Sequence, residues 1–262
     1  FSLAQFSVPP LSKPLVLKVF RKNFNQSPNE LFDKFEMSAS KAASIGQVHK
    51  AEKDRRKFAV KVQYPGIADS VSSDLAIVKP LAMKLFNIKG EGSDRYFREI
   101  EEKLLEETDY ELELKESIDF AKKCKAIGNV VFPQYYKQYS NKSIITMDWM
   151  EGRQISEFAK INKSEKASNI VGQTLWDFYM YQIHNLKKVH ADPHPGNFLV
   201  TEDLKLVAID FGCLKKIVNS FYQPYFELTK KEIINNKDAF TEKLFELEVL
   251  RSDDSEEEKA YF

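Results

Sequence analysis

The chain contains the stretch His190-Ala191-Asp192-Pro193-His194-Pro195-Gly196-Asn197, followed by Ala208-Ile209-Asp210-Phe211-Gly212. The two motifs supply an aspartate, an asparagine and a second aspartate, in that order along the chain. Two apolar runs separate them, and the pair Glu202-Asp203 between the runs is typical of a hairpin turn. We therefore expect a short β-hairpin between the two motifs.

Kinase-type phosphoryl transfer uses this set of side chains. One carboxylate, here Asp192, orients or deprotonates the attacking hydroxyl. An amide oxygen and a second carboxylate, here Asn197 and Asp210, hold Mg2+ on the phosphates of ATP, because Mg2+ prefers hard oxygen ligands. Turns rich in Pro, Gly and Asn are common, but they do not require this order and spacing. The pattern therefore favours a Mg-ATP site.

A zinc site is the alternative chemistry for the same stretch, with His190, Asp192 and His194 as ligands. The chain has four histidines, and Pro193 and Pro195 restrict the backbone that would wrap the metal. These features favour Mg-ATP over zinc.

Composition narrows the class of protein. In 262 residues, 39 basic side chains balance 39 acidic ones, which argues against a general nucleic-acid binder. The two cysteines, Cys124 and Cys213, form no close pair and suggest neither a disulfide scaffold nor a zinc ribbon. No apolar run is as long as a membrane span. The sequence starts without Met, so we interpret it as a fragment. We expect the protein to be cytoplasmic and to associate with a membrane through segments outside this sequence.

The first half of the chain contains a lysine in a phosphate-binding pattern. A small-residue loop precedes a strand, Phe58–Gln63, that carries Lys61. In kinases such a lysine contacts the α- and β-phosphates, and small side chains let backbone N–H groups approach phosphate oxygens. A solvated lysine on an edge strand is the alternative. Together with the downstream motifs, the pattern favours the phosphate-binding role.

Helical patterns surround this strand. Residues 1–37 are amphipathic, with Ser27-Pro28-Asn29-Glu30 as a helix start. Residues 67–89 form a helix that Pro80 kinks or splits. A longer helix is expected from Asp94 to about Lys123, and kinase chemistry needs one of its glutamates to hold the strand lysine. Glu107 and Glu111, which lie one turn apart, are the candidates for this role.

The remaining segments complete the expected elements. Strands are predicted around 134–139 and 143–150, and the segment 146–152 is the expected hinge that pairs with adenine and includes Met147 and Met150. Helices are predicted at 163–189 and within 220–250. No Ala-Pro-Glu motif, which anchors the peptide side of ordinary protein kinases, follows Gly212.

Several of these segments resemble the UbiB/ADCK (aarF-domain) family of atypical kinases. The matching motifs are Ala42 to His49, Val60 to Gly66, Glu107-Thr108-Asp109-Tyr110, Met150-Glu151-Gly152, His190 to Asn197 and Asp210-Phe211-Gly212. By this resemblance, Lys61 is the nucleotide lysine, Glu107 is its ion-pair partner, and Glu113 matches a further acidic position of the family. The resemblance also implies that the glycine-rich loop is replaced by Ala42, Ala43, Ser44, Ile45 and Gly46.

The implied fold is α+β and two-lobed, like that of protein kinases. Residues 1–151 are the expected N-lobe, an antiparallel sheet with helical insertions at about 1–37 and 66–92. Residues 152–262 are the expected C-lobe, mostly helical, with the catalytic loop and the metal-binding Asp-Phe-Gly.

The resemblance implies a Mg-ATP-dependent kinase or ATPase that supports ubiquinone or related prenyl-lipid synthesis. Quinone precursors, quinone-biosynthesis enzymes and a membrane surface are the implied partners. The chain departs from the family in two ways: it lacks the upstream Lys-x-Gly-Gln signature, and Lys41 adds a charge beside the loop. A small-molecule phosphotransferase of the aminoglycoside or choline kinase type and a nucleotide-sensing pseudokinase remain the alternatives.

Overall fold

The structure is a computed structural model that describes residues 10–43, 45–85, 92–255, 257 and 259, with only the backbone at 92–96. Ser44 of the predicted nucleotide loop and the end of the helix predicted at 67–89 lie outside the described residues. The chain divides into two units, one of residues 1–178 and 192–213 and one of residues 179–191 and 214–262.

The strands are β1 (Lys34–Phe35), β2 (Lys41–Ala43), β3 (Gly46–Lys53), β4 (Arg56–Gln63), β5 (Val130–Val131), β6 (Ile144–Asp148), β7 (Arg153–Gln154), β8 (Lys188–His190), β9 (Phe198–Val200), β10 (Leu206–Ala208) and β11 (Leu214–Lys216). The helices are α1 (Lys13–Phe24), α2 (Pro28–Leu31), α3 (Ile67–Leu85), α4 (Gly92–Thr108), α5 (Tyr110–Lys123), α6 (Ile155–Ile161), α7 (Glu165–Tyr181), α8 (Asn219–Glu227), α9 (Lys231–Ile234) and α10 (Lys237–Glu246).

The larger unit contains an antiparallel sheet in the order β1-β3-β4-β6, and β2 also pairs with β3. The β3–β4 turn is Asp54-Arg55, where both residues have positive φ, as expected for the predicted polar turn. Lys61 lies in β4 between Val48 of β3 and Ile145 of β6. Because β4 is paired on both sides, Lys61 is on an interior strand and not on the edge strand considered above.

One face of this sheet is covered by α1. Its apolar residues Val16, Val19 and Phe20 form a core cluster with side chains of the sheet and of the segment after α2. The predicted helix start at Ser27 is confirmed, since Ser27 N donates to Glu30 Oε2 at 2.6 Å. The continuous helical character predicted to residue 37 is wrong: α2 ends at Leu31 because Phe32 is extended, and β1 follows.

The helix predicted from Asp94 to Lys123 is wrong as a single element. It is interrupted at Asp109, whose side chain accepts a hydrogen bond from Leu112 N at 2.9 Å and thereby caps a new helix, α5. Gln63 Nε2 donates to Thr108 O at 2.7 Å, which ties the end of α4 to β4. By contrast, α3 continues through Pro80, so of the two predicted effects, a kink or a split, the split is absent.

A second sheet of the larger unit has the order β5-β10-β9-β7. The hairpin predicted between the two motifs is confirmed, since β9 and β10 pair antiparallel with Leu206 opposite Val200. The strand predicted at 134–139 is wrong. Only Tyr135 bridges to Met147, and the chain then turns at Lys137–Tyr139, where Ser140 N donates to Lys137 O.

The smaller unit contains the β8–β11 pair and α8, α9 and α10. The helices predicted within 220–250 are therefore present, while the helix predicted at 163–189 is shorter. The regular part of the helix predicted at 163–189 is α7, and a π-turn follows at Gln182–Leu186. Lys187, with φ of 51°, ends this π-turn. Among the described residues, no helix has the length and apolar character needed to cross a bilayer.

Candidate active site

The site is built around Lys61, whose side chain is buried in the larger unit. Lys61 Nζ donates to both carboxylate oxygens of Glu113, at 2.8 and 3.1 Å. It also lies 3.5 Å from Asp210 Oδ2. The side chains of Lys61 and Glu113 are only 5% and 8% exposed, so the pair is shielded from water. The structure thus brings together a strand lysine, a helix glutamate and the aspartate of Asp-Phe-Gly.

The glutamate that pairs with Lys61 is Glu113, and the assignment of this role to Glu107 is corrected. The break at Asp109 places Glu107 in the last turn of α4, where it is half-buried. Burial raises the pKa of the Cys213 thiol, and the nearby Glu107 carboxylate adds to that rise. The alternative, Glu111, is exposed. Among the described residues, the glutamate that contacts the lysine is Glu113 of α5.

The local sequence of α5 explains the choice of Glu113. The buried residues of this helix recur at helical spacing and form one face: Tyr110, Glu113, Leu114, Ser117 and Phe120. Glu113 lies on this face, one turn from the helix start. This spacing, counted from the Asp109 cap, was the signal in the sequence that could have identified it.

Asp210 is held close to this pair by its neighbours. Gly212 N donates to Asp210 Oδ1 at 2.9 Å, which leaves Oδ2 on the side of Lys61. Phe211 is buried, and its ring lies 5.2 Å from that of Phe120 in α5 and 5.8 Å from that of Phe132. The Asp-Phe-Gly segment is therefore anchored to the helix that carries Glu113.

Asp192 and Asn197 form a second polar pair. Asn197 Nδ2 donates to Asp192 Oδ2 at 2.9 Å and to Asp192 O at 3.1 Å. Ile209 N donates to Asn197 O at 3.1 Å, which connects this loop to the residue before Asp210. The Asn197 amide nitrogen thus holds the Asp192 carboxylate, and the amide oxygen Oδ1 is the atom of this side chain that would bind a metal ion.

The electrostatics follow from burial among opposite charges. Burial alone would lower the pKa of Lys61, but the carboxylates of Asp210 and Glu113 hold it well above its usual range. Burial raises the pKa of Glu113 to about 6; Asp210 adds to the rise and Lys61 opposes it. Lys61 therefore stays protonated in spite of its burial.

The small-residue segment forms a tight hairpin in front of β3. Ala42 pairs with Gln47 and Ala43 pairs with Gly46. The side chain of Ile45 belongs to a core cluster with Leu114 and Ile145, and Ile45 O accepts a hydrogen bond from Tyr64 N at 3.0 Å. These contacts position the hairpin on the strand next to β4.

The predicted adenine hinge follows β6. Met147 is a buried residue of β6 opposite Ala59 of β4, and Met150 is half-buried after the end of that strand. Trp149 N donates to Lys57 O at 3.0 Å. The segment after β6 is therefore attached to the sheet that carries Lys61. Recognition of adenine by this segment stays a prediction.

The donor set fits Mg2+ bound together with phosphates. Asn197 Oδ1 and the Asp210 carboxylate are hard oxygen ligands, and Mg2+ in nucleotide sites is usually held by one or two carboxylates plus phosphate oxygens. The zinc alternative has less support, since His194 Nδ1 accepts a hydrogen bond from Gly196 N. Within the part of the chain that the structure describes, no three His, Cys, Asp or Glu side chains are arranged to hold a metal.

Gly46 is required by the close approach of β4, which gives a testable prediction. A Cβ at this position would lie 2.4 Å from Val62 O, a backbone atom that cannot move away alone. We expect Gly46→Ala to lower the free energy of unfolding by about 1–3 kcal/mol. Gly172→Ala is the control: Gly172 lies in α7 with open space around it, so alanine there should stabilise by about 0.5–1 kcal/mol. Urea unfolding measures both, and equal effects would contradict the packing argument.

Comparison with known proteins places this arrangement in a family. A profile of the ABC1 atypical kinase-like domain matches residues 3–244. The chain is 30% identical over 222 residues to the chloroplastic protein ACTIVITY OF BC1 COMPLEX KINASE 8 of Arabidopsis thaliana, covering 81% of this chain and 29% of that protein. It is 30% identical over 214 residues to the mitochondrial atypical kinase COQ8 of Saccharomyces cerevisiae, covering 80% and 42%.

A solved structure is similar throughout most of the chain. The complex of Rv3197 with erythromycin from Mycobacterium tuberculosis has a TM-score of 0.73 at 25% identity, covering 94% of this chain and 63% of that one. This likeness, with the antiparallel sheet and the helices, confirms the kinase-like α+β class. The chain spans less than half the length of the two curated relatives. The family match nevertheless extends over nearly all of this sequence, so the chain belongs to the ABC1 (aarF) family of atypical kinase-like domains.

Proposed function

We propose that this domain binds Mg-ATP and transfers or hydrolyses its terminal phosphate, in support of isoprenoid-quinone or related prenyl-lipid synthesis. The observation that carries the proposal is the buried Lys61 ammonium, held 2.8 Å from Glu113 and 3.5 Å from Asp210. A buried lysine fixed by two carboxylates beside a small-residue hairpin is suited to binding phosphate oxygens.

Each polar residue has a distinct role in this proposal. Lys61 binds the phosphates, and Glu113 keeps its ammonium charged and in position. Asn197 and Asp210 would hold Mg2+, which neutralises charge on the phosphates when it is bound. Asp192 lies exposed with one carboxylate oxygen fixed by Asn197, so it is the group that orients or deprotonates the attacking hydroxyl or water.

The prenyl-lipid role rests on the resemblance to the UbiB/ADCK family. The absence of an Ala-Pro-Glu motif after Gly212 supports an acceptor other than a protein segment, since that motif anchors the peptide-binding side of ordinary protein kinases. Quinone precursors and a membrane surface are therefore the partners to test first.

The experiment is ATP turnover by the protein, with and without liposomes and a polyprenyl-phenol. We expect Mg-dependent turnover that the lipid and the phenol increase. Stoichiometric phosphorylation of a hydroxylated metabolite would favour a small-molecule phosphotransferase. Binding of ATP without turnover under every condition would identify a pseudokinase.

A further inference from the structure

Tyr110, the first residue of α5, lies at the centre of the site but has no role in the proposed chemistry. It is fully buried and belongs to the core cluster with Ile45, Leu114 and Ile145. These neighbours come from the small-residue hairpin, from α5 and from β6. Tyr110 therefore joins the three elements that surround Lys61.

The ring of Tyr110 supports the lysine directly. Lys61 Nζ lies 5.1 Å from the ring centroid, within the range of a cation–π interaction. The carboxylates of Glu113 and Asp210 also contact the ammonium. The Lys61 ammonium therefore has two carboxylates and one aromatic ring as its neighbours.

The hydroxyl of Tyr110 faces the backbone of the hairpin. A Cβ built on Gly46 would lie 2.8 Å from Tyr110 Oη, so the hydroxyl lies directly against this glycine. Among the described residues, Tyr110 Oη has no hydrogen-bond partner. A buried hydroxyl without a partner is unfavourable, and phenylalanine would fill the same volume without that cost. The arrangement is explained if the hydroxyl gains its partner in another state of the site.

The planarity of the peptide bond between Ile45 and Gly46 indicates a partner for the Tyr110 hydroxyl. Ile45 C=O and Gly46 N–H belong to one peptide plane and point in opposite directions. Gly46 pairs with Ala43 in the hairpin and with Gln63 in β4, so its N–H reaches a phosphate oxygen only if this peptide rotates. The same rotation would move Ile45 O toward Tyr110 Oη. Ile45 O already accepts a hydrogen bond from Tyr64 N at 3.0 Å, and a carbonyl oxygen has a second lone pair for another donor.

We propose that Tyr110 is a positioning residue for the nucleotide hairpin, and that its hydroxyl donates to Ile45 O when Mg-ATP is bound. The proposal rests on the proposed function, because it requires that nucleotide binds at this hairpin. Tyr110 would then couple the position of the hairpin to that of Lys61, since its ring contacts the lysine and its hydroxyl contacts the loop backbone.

The test is Tyr110→Phe, which keeps the ring and removes only the hydroxyl. We expect the nucleotide-free variant to be at least as thermally stable as the wild type, and its dissociation constant for Mg-ATP to rise about five- to tenfold, the effect of one lost hydrogen bond. Tyr225→Phe is the control. Tyr225 is an exposed residue of α8 in the smaller unit, and we expect removal of its hydroxyl to leave Mg-ATP affinity unchanged.

Thermal unfolding without nucleotide and calorimetric titration with Mg-ATP give separate readouts. Equal affinity of Tyr110→Phe and the wild type would overturn the inference alone. A loss of stability in nucleotide-free Tyr110→Phe would also overturn it, because the hydroxyl would then have a partner before nucleotide binds. Failure of the wild type itself to bind Mg-ATP would overturn the proposed function, and the inference with it.

Discussion

Asp210→Asn is expected to lower Mg-dependent ATP turnover by about 10²–10³-fold, the usual effect of removing one electrostatic contact to the reacting phosphates. Asparagine has the same shape and still offers an oxygen to Gly212 N–H, the partner of Asp210 Oδ1. The substitution therefore removes the charge that faces Lys61, and that would face Mg2+, while preserving the local turn. Steady-state phosphate release at saturating Mg-ATP measures the loss.

Asp203→Asn is the control for this experiment. Asp203 lies in the turn of the adjacent hairpin, and its carboxylate pairs with Lys205 at the surface. The same chemical change there should leave turnover within about twofold of the wild type, since exposed ion pairs contribute little. Wild-type turnover in Asp210→Asn would remove Asp210 from the metal site.

Glu113→Gln is expected to destabilise the protein by about 3 kcal/mol, because it leaves the buried Lys61 ammonium with a weaker partner. Both side chains of this pair are almost fully buried, so water cannot replace the lost carboxylate. Asp210 at 3.5 Å provides partial compensation, which places the effect at the low end of the range for buried pairs. Urea unfolding without nucleotide gives the change in the free energy of unfolding.

Glu107→Gln separates this role from the one assigned to Glu107 by sequence. Glu107 is half-buried at the end of α4, and its substitution should change the free energy of unfolding by less than about 1 kcal/mol. A larger loss in Glu107→Gln than in Glu113→Gln would contradict the ion pair described here.

The parts of the site that the sequence predicted correctly depend on local signals. The hairpin between the two motifs follows from alternating apolar runs and a polar turn, and β9 and β10 form it. The lysine strand follows from an apolar run after a small-residue segment, and β4 carries Lys61. In both cases neighbouring residues determine the structure.

Local signals did not identify the glutamate that pairs with Lys61. The direction in which each glutamate side chain points depends on where the helix is interrupted. A single helix from Asp94 presents several acidic residues to every side. Once Asp109 caps a new helix, the register starts again at Tyr110, and Glu113 falls on the buried face. The strand predicted at 134–139 failed for a related reason: the Lys137–Tyr139 turn ends it after a single bridge.

In the proposed function, Lys61, Asn197 and Asp210 together bind nucleotide with magnesium, and we therefore expect the affinity for ATP to depend on Mg2+. Calorimetric titration of the wild type with ATP should give binding at least about tenfold tighter in Mg2+ than in EDTA, a difference of about 1.4 kcal/mol. Lys61→Met should lose most of the affinity in both conditions. Equal affinity of the wild type with and without Mg2+, together with unchanged binding by Lys61→Met, would contradict the claim.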